Sequence, residues 1–374
     1  MTKKVILIIF LILSPIIIAV IFFSQKTSAK PKVATNTATI KPSTAKKTEI
    51  IVPKVTLDSI FSLQETDLSK LDQTKIIKLI ATGDVIPARG ANWPAVQKNN
   101  FNFNWEKTAD YLKTGDITLI NLEAPLMKSC QLSTSGFTFC GNARQVEGMV
   151  FAGIDVANLM NNHIGNFGST GISETKKLLD DNQILWSGFG SLAIKEIKGK
   201  KFGFLGYNGI GVKIDREAMA TEIKDSKTKV DILIVSVHWG KEYEALPLSD
   251  GNIAPDNPIE IGHLMIDSGA DLIIGNHPHW VQGVEIFKDK FIAYAHGNFI
   301  FDQTWSEETQ EGVVGEYTFY LPPEASAKEG GVKLIAVKYK PIVVDKSYQP
   351  VFVTGTRADK ILKQMQDSST QLAK

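Results

Sequence analysis

The sequence carries little net charge and lacks the surface pattern of a nucleic-acid-binding protein. Its 374 residues include 41 Lys or Arg and 40 Asp or Glu, so the formal net charge is only +1. We find no stripe of Lys and Arg interleaved with aromatic residues. Nucleic-acid recognition depends on such a cationic footprint. The composition therefore argues against nucleic acid as a partner.

Cysteine is nearly absent. Cys130 and Cys140 are the only two, and they lie in the polar stretch KSCQLSTSGFTFCGN. A metal site built on them would need further ligands, and two free thiols are the other alternative. In an oxidising compartment so close a pair would readily form a disulfide, worth about 2–3 kcal/mol for a loop of this size. We therefore predict a Cys130–Cys140 disulfide.

Long apolar runs are also scarce, with one exception at the N-terminus. Val5 to Phe23 is apolar apart from Ser14 and Pro15, and two lysines precede it. About 20 helical residues cross a bilayer core of roughly 30 Å, and a positive flank stays in the cytoplasm. We predict a single-pass transmembrane anchor over residues 1–24, which would place the rest of the chain outside the cell membrane.

A cleavable signal peptide is the alternative, with Thr27-Ser28-Ala29 as the cleavage site and a secreted product. Signal peptides usually have a shorter apolar core of about 7–15 residues, which favours the anchor. Residues 25–74 are predicted as a linker and transitional segment. Its first half is rich in Lys, Thr, Ser, Ala and Pro and has no apolar period. Such a composition buries too little surface to offset chain entropy, which predicts a flexible tether.

From Lys75 onward, short apolar runs alternate with longer amphipathic ones. Runs such as KIIKLIATGD, DITLINLE and VDILIVSVHWG suit strands that are buried on both faces. Helical patterns lie between them, and antiparallel-looking strands follow Gly283. The alternation predicts an α/β fold with mixed sheets flanked by helices, forming one domain over residues 75–374.

Polar residues gather where these predicted strands end. Five of the six histidines lie in the pieces NNH, SVHWG, GNHPH and HGN, and two carboxylates end earlier strands. One such residue alone is usually a turn or cap. Together they would form the mixed nitrogen and oxygen shell that zinc, manganese or iron accepts, because ligands of α/β sheets bind at the carboxyl ends of strands. The candidates are Asp84, Asn121, Glu123, Asn162, His163, His238, His277 and His279.

Six ordered motifs carry a family resemblance: GDVIPARG, NLEAPL, AGIDVANLMNNHIGNFGSTG, VSVHWGKEY, GADLIIGNHPHWVQ and HGNFIFDQ. The series, from about Ile80 to Gln303, resembles the CapA family. This bacterial capsule-synthesis family is linked to poly-γ-glutamate, and its domain resembles calcineurin-like metallophosphoesterases. The resemblance implies a layered metallophosphoesterase-like sandwich that faces outward from the membrane.

The resemblance also implies roles for single residues. One or two divalent ions (manganese, zinc or iron) would be held by Asp84, Glu123, Asn162, His238, His277 and His279. His163 would transfer a proton to the leaving group, and Arg89 would clamp an anionic substrate. Asn121, Asn166 and Asn298 would lie beside these groups and orient them.

Two positions depart from the pattern. Ile86 stands where the superfamily has a metal-binding histidine, and Asn166 stands where relatives carry an aspartate. An amide cannot act as a base, so three functions stay open. The first is synthesis, export or attachment of an anionic polymer such as poly-γ-glutamate. The second is an extracytoplasmic metal-dependent phosphoesterase or amide hydrolase. The third is a non-catalytic polymer-binding scaffold for a membrane synthase complex.

Overall fold

The computed structural model describes residues 52–62, 64–322 and 331–373. These residues belong to one compact unit that spans residues 50–374. The predicted anchor over residues 1–24 and the predicted tether up to residue 51 lie outside the described residues. Within the described residues, no helix has both the length and the apolarity that a membrane crossing requires. The anchor, the linker and the domain boundary at residue 75 stay predictions.

The strands of the described residues occur between Ile76 and Phe352 and vary from two to twelve residues in length. In chain order they are β1 (Ile76–Val85), β2 (Ile117–Leu122), β3 (Leu126–Met127), β4 (Gly141–Asn142), β5 (Val156–Asn158), β6 (Leu185–Ser187), β7 (Ala193–Ile197), β8 (Lys200–Asn208), β9 (Ile232–His238), β10 (Leu272–Asn276), β11 (Val284–Phe287), β12 (Lys290–Ala293), β13 (Asn298–Ile300), β14 (Glu311–Tyr320), β15 (Lys333–Val344) and β16 (Pro350–Phe352).

The helices alternate with the strands in the first three quarters of the chain. They are α1 (Leu57–Phe61), α2 (Arg89–Gln97), α3 (Ala109–Leu112), α4 (Gln145–Ala152), α5 (Gly168–Asp181), α6 (Arg216–Lys227), α7 (Pro258–Ser268) and α8 (Thr356–Leu372). Local sequence explains both ends of α7. The Asn257 side chain accepts a hydrogen bond from Ile259 N, Pro258 opens the helix, and Gly269 ends it with φ at 120°.

Two mixed sheets form the body of the domain. The first sheet has the strand order β16-β15-β14-β1-β2-β5-β6, with β13 also pairing with β1. The second sheet has the order β11-β12-β10-β9-β8-β7. The strands β1, β2, β5 and β6 are parallel, as are β8, β9, β10 and β12, whereas β14, β15 and β16 are antiparallel. The predicted α/β class with mixed sheets and flanking helices is confirmed.

The hydrophobic core explains why the two sheets stack. One cluster of buried residues contains Ile77 and Leu79 from β1 together with Phe204, Ile234 and Ile274 from the second sheet, so the sheets pack face to face. Two further clusters lie on the outer faces, beneath α2 to α5 and beneath α6 and α7. Each fully buried large apolar side chain contributes about 1.5–3 kcal/mol. The result is a sandwich of helices, sheet, sheet and helices.

Candidate metal centre

The carboxyl ends of the parallel strands place acidic and amide side chains at one edge of the first sheet. Asp84 lies at the end of β1 and is paired in register with Asn121 on β2. Glu123 follows β2 directly. The Asn121 amide donates to Asp84 Oδ1 at 2.9 Å and faces Glu123 Oε2 at 3.4 Å. Both carboxylates are buried, so this single amide holds them side by side in a dry site.

The second sheet supplies the imidazoles. His238 is the last residue of β9, and His277 and His279 follow β10, the neighbouring parallel strand. Both histidines of the GNHPH segment have left-handed backbones, with φ at 98° for His277 and 59° for His279. Such conformations are costly for residues with a Cβ and are typical of functional sites. They turn both side chains into the same buried space.

These groups converge on one atom. His238 Nε2 lies 3.0 Å from Asn162 Oδ1, 3.2 Å from His277 Nδ1 and 3.3 Å from Glu123 Oε1. Four ligand-type atoms from two sheets therefore meet within a few ångströms, and each comes from a buried or half-buried side chain. Imidazole nitrogen with carboxylate and amide oxygen is a donor set that borderline divalent metals accept.

Glu123 lies at the centre of the arrangement. Two sets of potential ligands have donor atoms that all lie within 4.8 Å of one another: Asp84 with Glu123 and His238, and Glu123 with His277 and His279. Glu123 belongs to both sets, as a bridging ligand must. Its Oε1 atom and the Nε2 atom of His277 are buried without a hydrogen-bond partner. Unsatisfied buried polar atoms are costly, and a cation would satisfy both, so these residues fit a divalent metal.

The ionisable side chains of the site have pKa values shifted in different directions. Burial and the nearby Asp84 charge raise the pKa of Glu123 well above its usual value. For Asp84 burial acts in the same direction, but the hydrogen bond and charge of His279 outweigh it and lower the pKa. Burial opposes protonation of His279, yet Asp84 and Glu123 raise its pKa to about 9. Without an ion the site thus contains an Asp84–His279 ion pair, with 3.2 Å between Oδ2 and Nδ1.

His163 lies beside this cluster with a defined tautomer. The backbone N–H of Phe139 donates to Asn166 Oδ1 at 2.7 Å, so this atom is an acceptor. His163 Nδ1 lies 3.1 Å from the same oxygen and must carry the proton. Burial lowers the pKa of His163 to about 4. Asn166 therefore orients a neutral imidazole whose Nε2 can accept a proton, and the predicted proton transfer to a leaving group would first require that protonation.

The guanidinium of Arg89 is bound to partners within the protein, whereas a substrate clamp would have its donors free. Its Nε donates to Asp302 Oδ1 at 3.1 Å, its Nη2 contacts the same oxygen at 2.5 Å, and its Nη1 donates to Gly136 O at 2.7 Å. Its guanidinium also lies 4.7 Å from the ring centre of Phe139 and 5.1 Å from that of Phe301. Internal partners thus already occupy much of its donor capacity. Binding of substrate by Arg89 stays a prediction.

Other supporting residues were not predicted as site residues. The Asn158 amide donates to Asn121 Oδ1 at 3.0 Å, and the Asn161 amide donates to Leu122 O at 2.9 Å. Both lie in the IDVANLMNN piece, whose repeated asparagines after a strand were the available signal. Asn298 Oδ1 lies 2.9 Å from His279 Nδ1, and its predicted orienting role stays a prediction.

The two cysteines lie on the same side of the domain as Phe139. The structure joins Cys130 and Cys140 as a disulfide with their Cα atoms 5.8 Å apart. His296, by contrast, belongs to neither group of potential ligands. Its Nε2 contacts Tyr317 Oη at 2.9 Å and its Nδ1 lies 3.3 Å from Thr82 O, which makes it a buried core histidine.

The sequence model of the family described as bacterial capsule synthesis protein PGA_cap matches residues 78–303, more than half of the chain. The chain belongs to this family. The resemblance to the CapA family predicted from the six motifs is thereby confirmed. All the candidate ligands and His163 lie within the matched range.

Two curated relatives of this chain have names related to the family description. The capsule biosynthesis protein CapA of Bacillus anthracis is 24% identical over 285 residues, which cover 69% of this chain and 66% of that protein. The PGA biosynthesis protein CapA of Bacillus subtilis (strain 168) is 25% identical over 276 residues, which cover 67% of this chain and 70% of that protein. The chain spans about two thirds of the length of these relatives.

A solved structure of a hypothetical protein from Thermus thermophilus is also similar. It is 13% identical, covers 71% of this chain and 98% of that protein, and gives a TM-score of 0.44. A similarity of this size carries no argument about chemistry.

Proposed function

We propose that this protein serves the synthesis, export or attachment of an anionic surface polymer such as poly-γ-glutamate, and that it does so through a divalent-metal centre. The observation that carries the proposal is the convergence of Glu123, Asn162 and His277 on His238 Nε2, with all of these distances at or below 3.3 Å. Membership of the PGA_cap family supports a role with such a polymer.

The residues of the centre have two roles: six would bind metal, and one would carry a proton. Asp84, Glu123, Asn162, His238, His277 and His279 would hold one or two ions of manganese, zinc or iron. A bound divalent ion supplies Lewis acidity and lowers the pKa of a bound water. His163, fixed by Asn166, presents Nε2 as a proton acceptor beside the ligands.

We further propose that the domain works outside the cell membrane, tethered by the predicted anchor over residues 1–24. The apolar run after Lys3 and Lys4 supports this location. A secreted form would follow if the segment is cleaved. Subunits of a membrane synthase complex are the partners that such an anchored domain would meet.

A second candidate function is an extracytoplasmic metal-dependent phosphoesterase or amide hydrolase. The pairing of His163 with Asn166 beside the candidate ligands favours it, because a tautomer with a free acceptor nitrogen is what proton transfer needs. A third candidate, a non-catalytic polymer-binding scaffold, would need polymer binding but no turnover.

The test begins in the host, with the gene deleted and then restored as wild type, Glu123→Gln or His163→Ala. Surface polyglutamate should return with wild type and not with Glu123→Gln. The matched control is His263→Ala, since His263 lies on α7 and contacts Glu285 at 2.8 Å, away from the candidate ligands. Full recovery of the polymer with Glu123→Gln would refute a metal-dependent role.

The purified full-length protein in detergent separates the three functions. Bound manganese, zinc and iron are counted, and phosphodiester and γ-glutamyl substrates are assayed. Turnover that disappears in His163→Ala while the metal stays bound supports a hydrolase. Absence of both metal and turnover in wild type, with polymer synthesis intact, supports the scaffold.

A further inference from the structure

A third carboxylate lies near the candidate metal centre, beside Asp84 and Glu123. Glu242 and Tyr243 follow the SVHWG motif, in the loop after β9. The backbone N–H of Tyr243 donates to Pro278 O at 2.9 Å, which ties this loop to the His277–His279 segment. Tyr243 has a left-handed backbone with φ at 59°. The strained loop is therefore held directly beside the paired histidines.

A ring of contacts runs from His279 through this loop and back. His279 Nδ1 meets Asn298 Oδ1 at 2.9 Å, and the Asn298 amide donates to Gln303 Oε1 at 3.3 Å. The Gln303 amide donates to Tyr243 Oη at 3.2 Å. Burial and the charge of the Glu242 carboxylate raise the pKa of Tyr243. Glu242 Oε1 then lies 3.9 Å from His279 Nε2.

Resting on the metal centre of the proposed function, we propose that Glu242 is a further metal ligand, which acts with His279. The Nδ1 atom of His279 is engaged by Asn298 and Asp84, so Nε2 is the nitrogen free to bind an ion. Ligands bind such ions at about 2.0–2.2 Å, so two ligand atoms on one ion lie about 3–4 Å apart. The 3.9 Å separation between Glu242 Oε1 and His279 Nε2 meets that requirement.

The surroundings support this assignment. Ile86 is fully buried in a small apolar cluster with Phe139 and Phe301 and offers no ligand atom. Glu242 is not neutralised by its neighbour Lys241, whose ammonium pairs with Glu244 at 2.6 Å. The side chain of Glu242 is 42% exposed. It can therefore reach an ion from the solvent side.

The test compares Glu242→Gln with Glu244→Gln in the full-length protein. Both changes remove one negative charge from the same loop, but only the first touches His279. Free Mn²⁺ is followed by electron paramagnetic resonance during titration, and thermal unfolding without metal checks that both variants are folded. We expect Glu242→Gln to bind one equivalent of Mn²⁺ at least about 10-fold more weakly, since changes even in groups that only support a ligand cost about 10–100-fold.

Each outcome decides the proposal. Weaker binding in Glu242→Gln with unchanged binding in Glu244→Gln supports it. Equal weakening in both variants would show a general loss of negative charge and would overturn the ligand role, as would wild-type affinity in Glu242→Gln. If metal analysis shows that the wild-type protein takes up none of manganese, zinc and iron, the metal centre of the proposed function fails and this inference fails with it.

Discussion

The change Glu123→Gln should act in opposite directions on the metal-free and the metal-loaded protein. The carboxylate is fully buried, its Oε1 atom has no hydrogen-bond partner, and Asp84 lies beside it on the same asparagine. A buried group left unsatisfied costs about 1–3 kcal/mol. Gln has the same shape and no charge. The metal-free variant should therefore be at least as stable as wild type, and up to about 3 kcal/mol more stable.

With metal the order reverses. A ligand present at 100 times its Kd stabilises the folded state by about 2.7 kcal/mol. The entropy of unfolding is about 2.1 cal/mol/K per residue, so for a domain of about 300 residues 1 kcal/mol shifts the melting temperature by about 1.6 °C, and Mn²⁺ should raise that of wild type by roughly 4 °C. Glu123→Gln should lose most of this shift, because Glu123 belongs to both candidate ligand sets.

Differential scanning calorimetry of the full-length protein, with Mn²⁺ and with chelator, measures both effects. Glu311→Gln is the matched control, since Glu311 is also buried but pairs with Arg357 at 2.8 Å, outside the site. It should keep the full Mn²⁺ shift. A metal-free Glu123→Gln protein that is much less stable than wild type, yet responds normally to Mn²⁺, would refute the reasoning.

Three further outcomes follow from buried groups. Asp302→Asn should cost about 3–5 kcal/mol in urea unfolding, because it leaves the buried Arg89 charge without its partner, and an unchanged midpoint would contradict this. Reduction of the Cys130–Cys140 disulfide should cost about 2–3 kcal/mol, and a Cys130→Ser, Cys140→Ser variant should be insensitive to reductant. Burial lowers the pKa of His296 from 6.5 to about 4, so the unfolded chain binds the extra proton between these pH values. The contribution of His296 to the free energy of unfolding is therefore complete above pH 6.5 and falls by about 3 kcal/mol toward pH 4. His296→Gln should make the free energy of unfolding less dependent on pH in that range. An equal pH dependence in wild type and variant would contradict this.

The strand-end residues could be predicted from sequence for a physical reason. Continuous apolar runs identify buried parallel strands, and parallel strands deliver the residue after the run to the same edge. Asp84, Glu123, His238 and His277 all meet in this way. That reasoning needs only chain-local patterns and one topological rule. The same rule separated His263, which lies on a helix, from the other histidines.

Other features could not be predicted because they depend on which loops meet. Asp302 lies 213 positions from Arg89 in the chain, and no local pattern links the two. The sequence alone gives Arg89 no internal partner, so a substrate clamp was the natural hypothesis. Likewise Glu242 resembles an ordinary surface glutamate until the left-handed turn at Tyr243 brings it to His279.

The ligands are divided between the layers of the sandwich. Asp84, Glu123 and Asn162 belong to the first sheet or its loops, whereas the imidazoles of His238 and His277 extend from the second. An ion held by both groups would link the two sheets, so the sheets could not separate without releasing it. Resistance to proteases and protection from amide exchange in β1 and β9 should then increase when metal is supplied and decrease when it is removed. The lifetime of the folded protein would therefore depend on the metal concentration around it.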